Sequence, residues 1–222
     1  MTALQFDFTT WMGPQVAADF AAAVRPRAYP SGATIYGEGD AGAEMYRIRQ
    51  GTVRLLVTGL DGRHATFLMF GPGDAFGISS LIDDVPRPQT AEAVTAVELD
   101  VLDRAAFERL RRGGRDFDTA CLKLLSTQMR AVSGFYAGAQ LADLRERVER
   151  RISDAVRAFG AADAEGVRLS LRLSQSDLAS LVGSSRQSVG KVLQTLQAEG
   201  LIRIEYGNVL VPDPSRLLAS RR

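Results

Sequence analysis

The chain has 222 residues, 45% hydrophobic and 24% charged, enough for two small domains that each bury a core. Its formal net charge of +1 identifies neither a nucleic-acid nor a membrane partner, although basic residues exceed acidic ones by four from Leu144 onward. A single cysteine excludes an internal disulfide and a multi-cysteine iron–sulfur cluster, and a single histidine leaves too few ligands or bases for a metal-dependent barrel enzyme or a hydrolytic triad, so no enzyme is expected.

No signal peptide and no apolar run of membrane length occurs, so a cytoplasmic protein with no membrane partner is expected. Glycines recur from Gly32 to Gly77 between short β-like runs such as Thr52–Val57 and Thr66–Phe70. Further on, Val97, Leu99 and Val101 alternate with Glu98 and Asp100, as a strand with one wet face requires. Many short strands separated by glycine turns predict a sandwich or jelly-roll β-barrel over residues 1–115. His64 falls in the turn Asp61-Gly62-Arg63-His64, where a solvated hairpin residue is expected; with no second ligand near it, haem is not expected as a cofactor.

A long helix is predicted from about Asp116 to Ala142, carrying two apolar stripes. Leu122, Leu125, Met129, Val132, Tyr136 and Ala139 form one, and Phe117, Cys121, Leu124, Gln128, Ala131, Phe135 and Ala142 the other. Two stripes need two partners: the β-domain, and most simply the same helix of a second subunit. Leu124, Gln128, Ala131 and Phe135 are assigned to that dimer interface, the alternative being a monomer that buries both stripes within itself. Gly134 and Gly138 weaken the helix but permit a close approach. Cys121, on an apolar stripe, reads as a small buried side chain rather than a redox switch.

Residues 143–222 are expected to form a third region. Ser174 can cap a helix with Asp177 in the reciprocal capping position, Leu178, Leu181 and Val182 give it an apolar face, and Gly183 stops it. Ser185 can cap a second helix from Arg186 to Glu199, ended by Gly200. Val189, Val192, Leu193 and Leu196 fall on one side of it, and Arg186, Gln187, Gly190, Lys191, Gln194 and Gln197 on the other. Arg and Gln at the exposed start of a helix suit the major groove, where Arg forks onto guanine and Gln onto adenine. The alternative is an ordinary helical hairpin with a solvated face. Leu201–Tyr206 then alternates like a strand, Gly207-Asn208 turns and Val209–Val211 returns, completing a winged helix-turn-helix.

The stretch LSQSDLASLVGSSRQSVGKVLQTLQAEGLI resembles the DNA-binding domain of the cyclic-AMP receptor protein and fumarate-nitrate regulator (CRP/FNR) superfamily of transcription regulators. The upstream half is similar to the family's effector domain through Ile35-Tyr36-Gly37-Glu38-Gly39-Asp40, Met45–Ile48, Gly51-Thr52-Val53 and Gly71–Gly77, so the likeness covers roughly residues 15–213. It implies an α+β chain: a cyclic-nucleotide-binding-like β-domain, a dimerisation helix over 116–142, and a winged helix-turn-helix over 143–222.

The resemblance also assigns residues. Arg186 matches the family's guanine-reading Arg, Gln187 stands where a Glu usually reads cytosine, and Lys191 where an Arg usually sits. Ser185, Ser188 and Gln175 match phosphate contacts, and Gly190 belongs to the same motif. The expected effector pocket comprises Gly77, Ile78, Ser79, Ser80, Arg87, Gln89, Thr90, Val132 and Ser133. There Ile78 replaces the Glu that takes the ribose hydroxyl, and Gln89 stands at the phosphate Arg position with Arg87 displaced by two residues. Of the Thr-Ser pair that contacts adenine, only Ser133 is matched. Cyclic AMP is therefore not the expected effector. Arg87, between two prolines, is read first as a solvated loop residue, the alternative being that it reaches an anion from its displaced position.

The expected activity is that of a homodimer binding a palindromic operator on double-stranded DNA, gated by an unidentified small molecule, with RNA polymerase as a further partner if it activates. A constitutive DNA-binding regulator, or a signal-binding protein acting through protein partners, are the alternatives.

Overall fold

The computed structural model describes residues 7–59, 64–170, 173–205 and 208–219. Contacts divide them into two compact units, with the boundary between Val132 and Ser133.

The first unit opens with a short 3-10 turn, Phe8–Trp11, capped by Asp7, and helix α1 (Pro14–Ala23). Strands β1 (Arg25–Tyr29), β2 (Thr34–Tyr36), β3 (Glu44–Gln50), β4 (Val53–Thr58), β5 (His64–Phe70) and β6 (Ala75–Phe76) follow. After helix α2 (Ser79–Asp83) come β7 (Thr90–Ala93) and β8 (Val97–Asp103), then helices α3 (Arg104–Arg112) and α4 (Arg115–Leu141). The sequence suggested a sandwich or jelly-roll barrel; the described strands form two open four-stranded sheets, ordered β1-β8-β3-β6 and β2-β7-β4-β5, without a closed barrel. All their pairings are antiparallel. Side chains rather than continuous backbone pairing join them: the Phe70 ring of one sheet stacks on Phe76 of the other at 5.7 Å, and Tyr36 meets Tyr46 at 5.8 Å. The alternation in β8 holds, with Val97, Leu99 and Val101 buried.

Phe8, Phe20, Phe107 and Phe117 meet edge to face and seat the start of α4 on this unit. On α4, Phe117, Ala120, Cys121, Leu124 and Ala131 are buried. The Gln128 amide donates to the Ala75 carbonyl at 3.0 Å. The stripe assigned from sequence to a second subunit is therefore covered inside its own chain at Leu124, Gln128 and Ala131; the side chain of Phe135 lies outside the described residues. The other stripe is open in part: Leu122 is 66% and Met129 71% exposed, while Leu125 and Val132 are half-buried. Periodicity reveals that a helix has two apolar faces, but only the shape of the packed β-domain decides which one it covers.

The second unit contains α5 (Leu144–Phe159), β9 (Gly160–Asp163), β10 (Gly166–Leu169), α6 (Gln175–Val182), α7 (Arg186–Ala198), β11 (Arg203–Glu205), β12 (Asn208–Val211) and α8 (Pro214–Ala219). The wing is wider than expected, a four-stranded sheet ordered β11-β12-β10-β9, because Val167 and Arg168 pair with Val211 and Leu210. The Ala-Ala-Asp of β9 carries almost no strand signal of its own. Of the expected turn Gly207-Asn208, Gly207 lies outside the described residues and Asn208 opens β12.

Candidate functional site

Helices α6 and α7 are set by their ends. Ser174 accepts from the Asp177 amide at 3.1 Å while the Asp177 carboxylate takes the Ser174 amide at 3.1 Å, closing a capping box. Gly183 ends α6 in the left-handed conformation, φ 61° and ψ 47°, which costs a residue with a Cβ roughly 1 kcal/mol or more. Past the next residue, Ser185 caps α7 through the Ser188 amide at 3.1 Å. Leu178, Ala179, Val182, Val189, Leu193 and Leu196 are buried, locking the two helices into one body, while Val192 is half-buried.

This packing turns Arg186, Gln187, Lys191 and Gln194 outward along α7, with Ser185 exposed and Ser188 half-buried at its start. Gln175 is exposed at the start of α6, and its amide oxygen would be in ordinary contact, at 3.5 Å, with a Cβ on Gly190. Gln197, placed by sequence on the exposed face, is exposed and also accepts from the Ile204 amide at 3.2 Å, tying the wing to α7. The far end of α7 is fixed by Arg145 of α5, whose guanidinium forks onto Glu199 at 2.7 and 2.5 Å and also reaches Glu149 at 2.8 Å. In the wing, Arg168 pairs with Asp163 and Glu205, and Arg203 with Glu165. Arg186 and Lys191 thus stand as the cations of the outward face, and the face can present donors to base edges and phosphates.

The first unit holds a cavity of about 280 Å³. Leu55 and Leu68, a cross-strand pair, give one wall; Tyr36, Phe76, Gly77, Ile78 and Ser79 another; Pro88, Gln89, Leu125, Gln128, Met129 and Val132 complete it with Arg87. Arg87 is 3% exposed, which corrects its reading as a solvated loop residue. Its guanidinium donates to the carbonyls of Gly77 and Glu44, both at 2.5 Å, and lies over the Tyr36 ring at 4.2 Å. The backbone fixes it too, since the Arg87 amide donates to Asp40 and its carbonyl accepts from Gly39. Gly77 makes this possible: φ is +80°, and a Cβ there would sit 2.9 Å from the guanidinium. Burial pushes the Tyr36 phenol up to about 12, so it stays protonated. The Glu44 carboxyl is held below its usual range by its bond to Arg27.

Residues 26–113 match the cyclic nucleotide-binding domain family, and residues 141–220 the Crp-like helix-turn-helix domain family. Over 209 residues the chain is 30% identical to a CRP-like cAMP-activated global transcriptional regulator of Mycobacterium tuberculosis, covering 94% of this chain and 93% of that one. The chain belongs to the CRP/FNR family of transcription regulators. It is also 31% identical to the cyclic AMP receptor protein of Thermus thermophilus, over 86% of this chain and 85% of that one. The solved structure of a CRP-family regulator, also from Thermus thermophilus, matches with a TM-score of 0.73 at 31% identity, covering 87% and 95% of the two chains. FixK2 from Bradyrhizobium japonicum has the same fold, with a TM-score of 0.80 at 20% identity over 88% and 96%.

This CRP/FNR-family chain is a DNA-binding transcription regulator. Its residues expected in the effector pocket divide. Gly77, Ile78, Ser79, Arg87, Gln89 and Val132 line the cavity. Ser80 is buried with its Cβ turned against Gly42, and the Thr90 hydroxyl accepts from the Glu38 amide at 3.0 Å, so both serve the fold beside the cavity. Ser133 is exposed and falls in the second unit. Sequence reasoning missed Tyr36, Leu55, Leu68, Phe76 and Leu125 as lining residues; each sits on a strand or helix whose apolar pattern also serves a core, so only the tertiary fold separates the two uses. His64 is exposed, its Nδ1 3.0 Å from the Thr58 hydroxyl. Among the described residues no helix is long and apolar enough to cross a membrane.

Proposed function

We propose that the protein is a homodimeric regulator that reads a palindromic operator through α7 and is gated by a small molecule other than cyclic AMP bound in the β-domain cavity. The observation that carries the reading of DNA is the outward row Arg186, Gln187, Lys191 on a helix capped by Ser185 and packed on its opposite face. For the dimer, the support is the open stripe of α4: Leu122 and Met129 are one heptad apart and exposed, and the same step leads to Tyr136, 69% exposed. For the effector, it is the cavity lining, in which Ile78 is buried where the family's cyclic-AMP binders carry a carboxylate.

Operator sequences selected from a random duplex pool, followed by fluorescence anisotropy against a scrambled duplex at fixed salt, test this. Arg186→Ala is expected to lose about 1–3 kcal/mol of sequence-specific binding per guanine contact. Gln187 donates as well as accepts, so the selected half-site should depart from TGTGA at the position it faces. Specific binding unaffected by Arg186→Ala would reject α7 as the reading helix, and specific binding that appears only with cyclic AMP would reject the effector reading.

A further inference from the structure

Arg87 is a buried cation in a mostly apolar cavity, and its hydrogen bonds are incomplete. Both terminal nitrogens donate to neutral backbone carbonyls, and the Nε–H is buried with no acceptor. Among the described residues no carboxylate bonds it; the nearest candidate, Glu44, spends its own carboxylate on Arg27 at 2.8 and 2.7 Å and on the Tyr46 hydroxyl at 2.7 Å. A buried charge without a counter-ion and a buried N–H without an acceptor are both unfavourable, and one anionic oxygen acceptor would relieve both. Tyr36 lines the same cavity, and its hydroxyl is neutral and unbonded among the described residues. The remainder of the lining is mostly apolar, with Leu55, Leu68, Phe76, Ile78, Leu125 and Val132, and its uncharged polar side chains are Ser79, Gln89 and Gln128, the last already donating to the Ala75 carbonyl.

We propose that the cavity binds a compact monocarboxylate, its head accepting from Arg87 and Tyr36 and its apolar body packed among the leucines, Phe76 and Ile78. This rests on the reading of the cavity as an effector site. One cation sets one negative charge. At about 280 Å³ the volume lies at the lower limit for small-molecule pockets, which sets a small body. A cyclic nucleotide is also a monoanion, but its ribose hydroxyl and base would find few partners besides Ser79 and Gln89 on this mostly apolar wall, a loss that a plain acyl or aryl body avoids.

The test is calorimetry and thermal melting of the full chain with butanoate, octanoate and phenylacetate, their amides, and cyclic AMP, at one salt and pH. At least one carboxylate should bind saturably and at least tenfold more tightly than its amide. Arg87→Gln should abolish that preference, and Tyr36→Phe, which keeps the ring under the guanidinium, should weaken it several-fold. Should Arg87→Gln fail to fold, Tyr36→Phe carries the test. A panel in which no carboxylate outbinds its amide, cyclic AMP outbinding every carboxylate, or a folded Arg87→Gln that keeps the preference overturns the proposal. Operator anisotropy with and without the best carboxylate separates the two readings: binding that leaves DNA affinity unchanged upholds the carboxylate site and sinks the gating.

Discussion

Cys121 illustrates how strongly one residue depends on where it is buried. It is 4% exposed on the covered side of α4, and burial pushes its thiol up to about 12, leaving a neutral apolar filler rather than a nucleophile. An unfolded thiol ionises near 8.5. Below that value both states keep the proton and stability does not depend on it. Above it the unfolded chain loses the proton first, so stability falls as pH rises, by at most about 1.4 kcal/mol per unit. Urea unfolding at pH 8, 9 and 10 should therefore show a shallower decline in Cys121→Ala than in the parent; parallel slopes would mean that the native thiol ionises normally. Gln187 is the contrasting case, an exposed side chain whose meaning lies in its donor and acceptor pattern rather than its surroundings.

Among the elements, the pair α6 and α7 is specified by short-range chemistry. Its capping box, its left-handed Gly183 and its Ser185 cap involve residues no more than three apart or a single backbone conformation. Nothing lies within 4 Å of a Cβ added at Gly183, so Gly183→Ala should cost only the backbone strain, about 1–2 kcal/mol, with no packing clash. Chemical denaturation measures the loss. Operator affinity in native buffer should change little, since the helices still pack through Leu178, Val182, Val189 and Leu193. A loss far above 2 kcal/mol would show that the turn is held by more than its backbone conformation. Helix α4 behaves differently, because its two stripes are chemically similar and no local rule ranks them.

At the scale of the whole molecule, the division of α4 into a covered and an open side sets a testable asymmetry. Leu124 has no exposure within its own chain, so Leu124→Ala should cost about 2–5 kcal/mol of stability wherever the subunit equilibrium lies. Leu122→Asp, on the open side and away from the cavity, should leave the fold of the individual chain intact and shift sedimentation toward monomer, with operator affinity falling as the two half-sites lose their coupling. An unchanged sedimentation coefficient would remove the open stripe as a dimer contact. Charge follows the same logic: among the described residues the wing's Arg168 and Arg203 are committed to Asp163, Glu165 and Glu205, whereas Arg186 and Lys191 of α7 face outward.

The sequence by itself determined what depends on near neighbours. The caps and glycine stop of the helix-turn-helix, the outward row from Arg186 to Lys191, the alternation of β8 and the family likeness were all legible, because the residues responsible lie within a few positions of one another. Tertiary structure decided whatever depends on long-range burial. It kept the strands in two open sheets, drew β9 and β10 into the wing sheet through pairing with Val211, and turned Leu124 inward and Met129 outward. It also buried Arg87, a polar residue between prolines that local rules place in solvent, because Gly77 and Glu44 bring two carbonyls to it from 10 and 43 residues away. Burial is a property of the assembled surfaces, and hydrophobic pattern alone does not reveal which of two apolar faces, or which arginine, those surfaces will enclose.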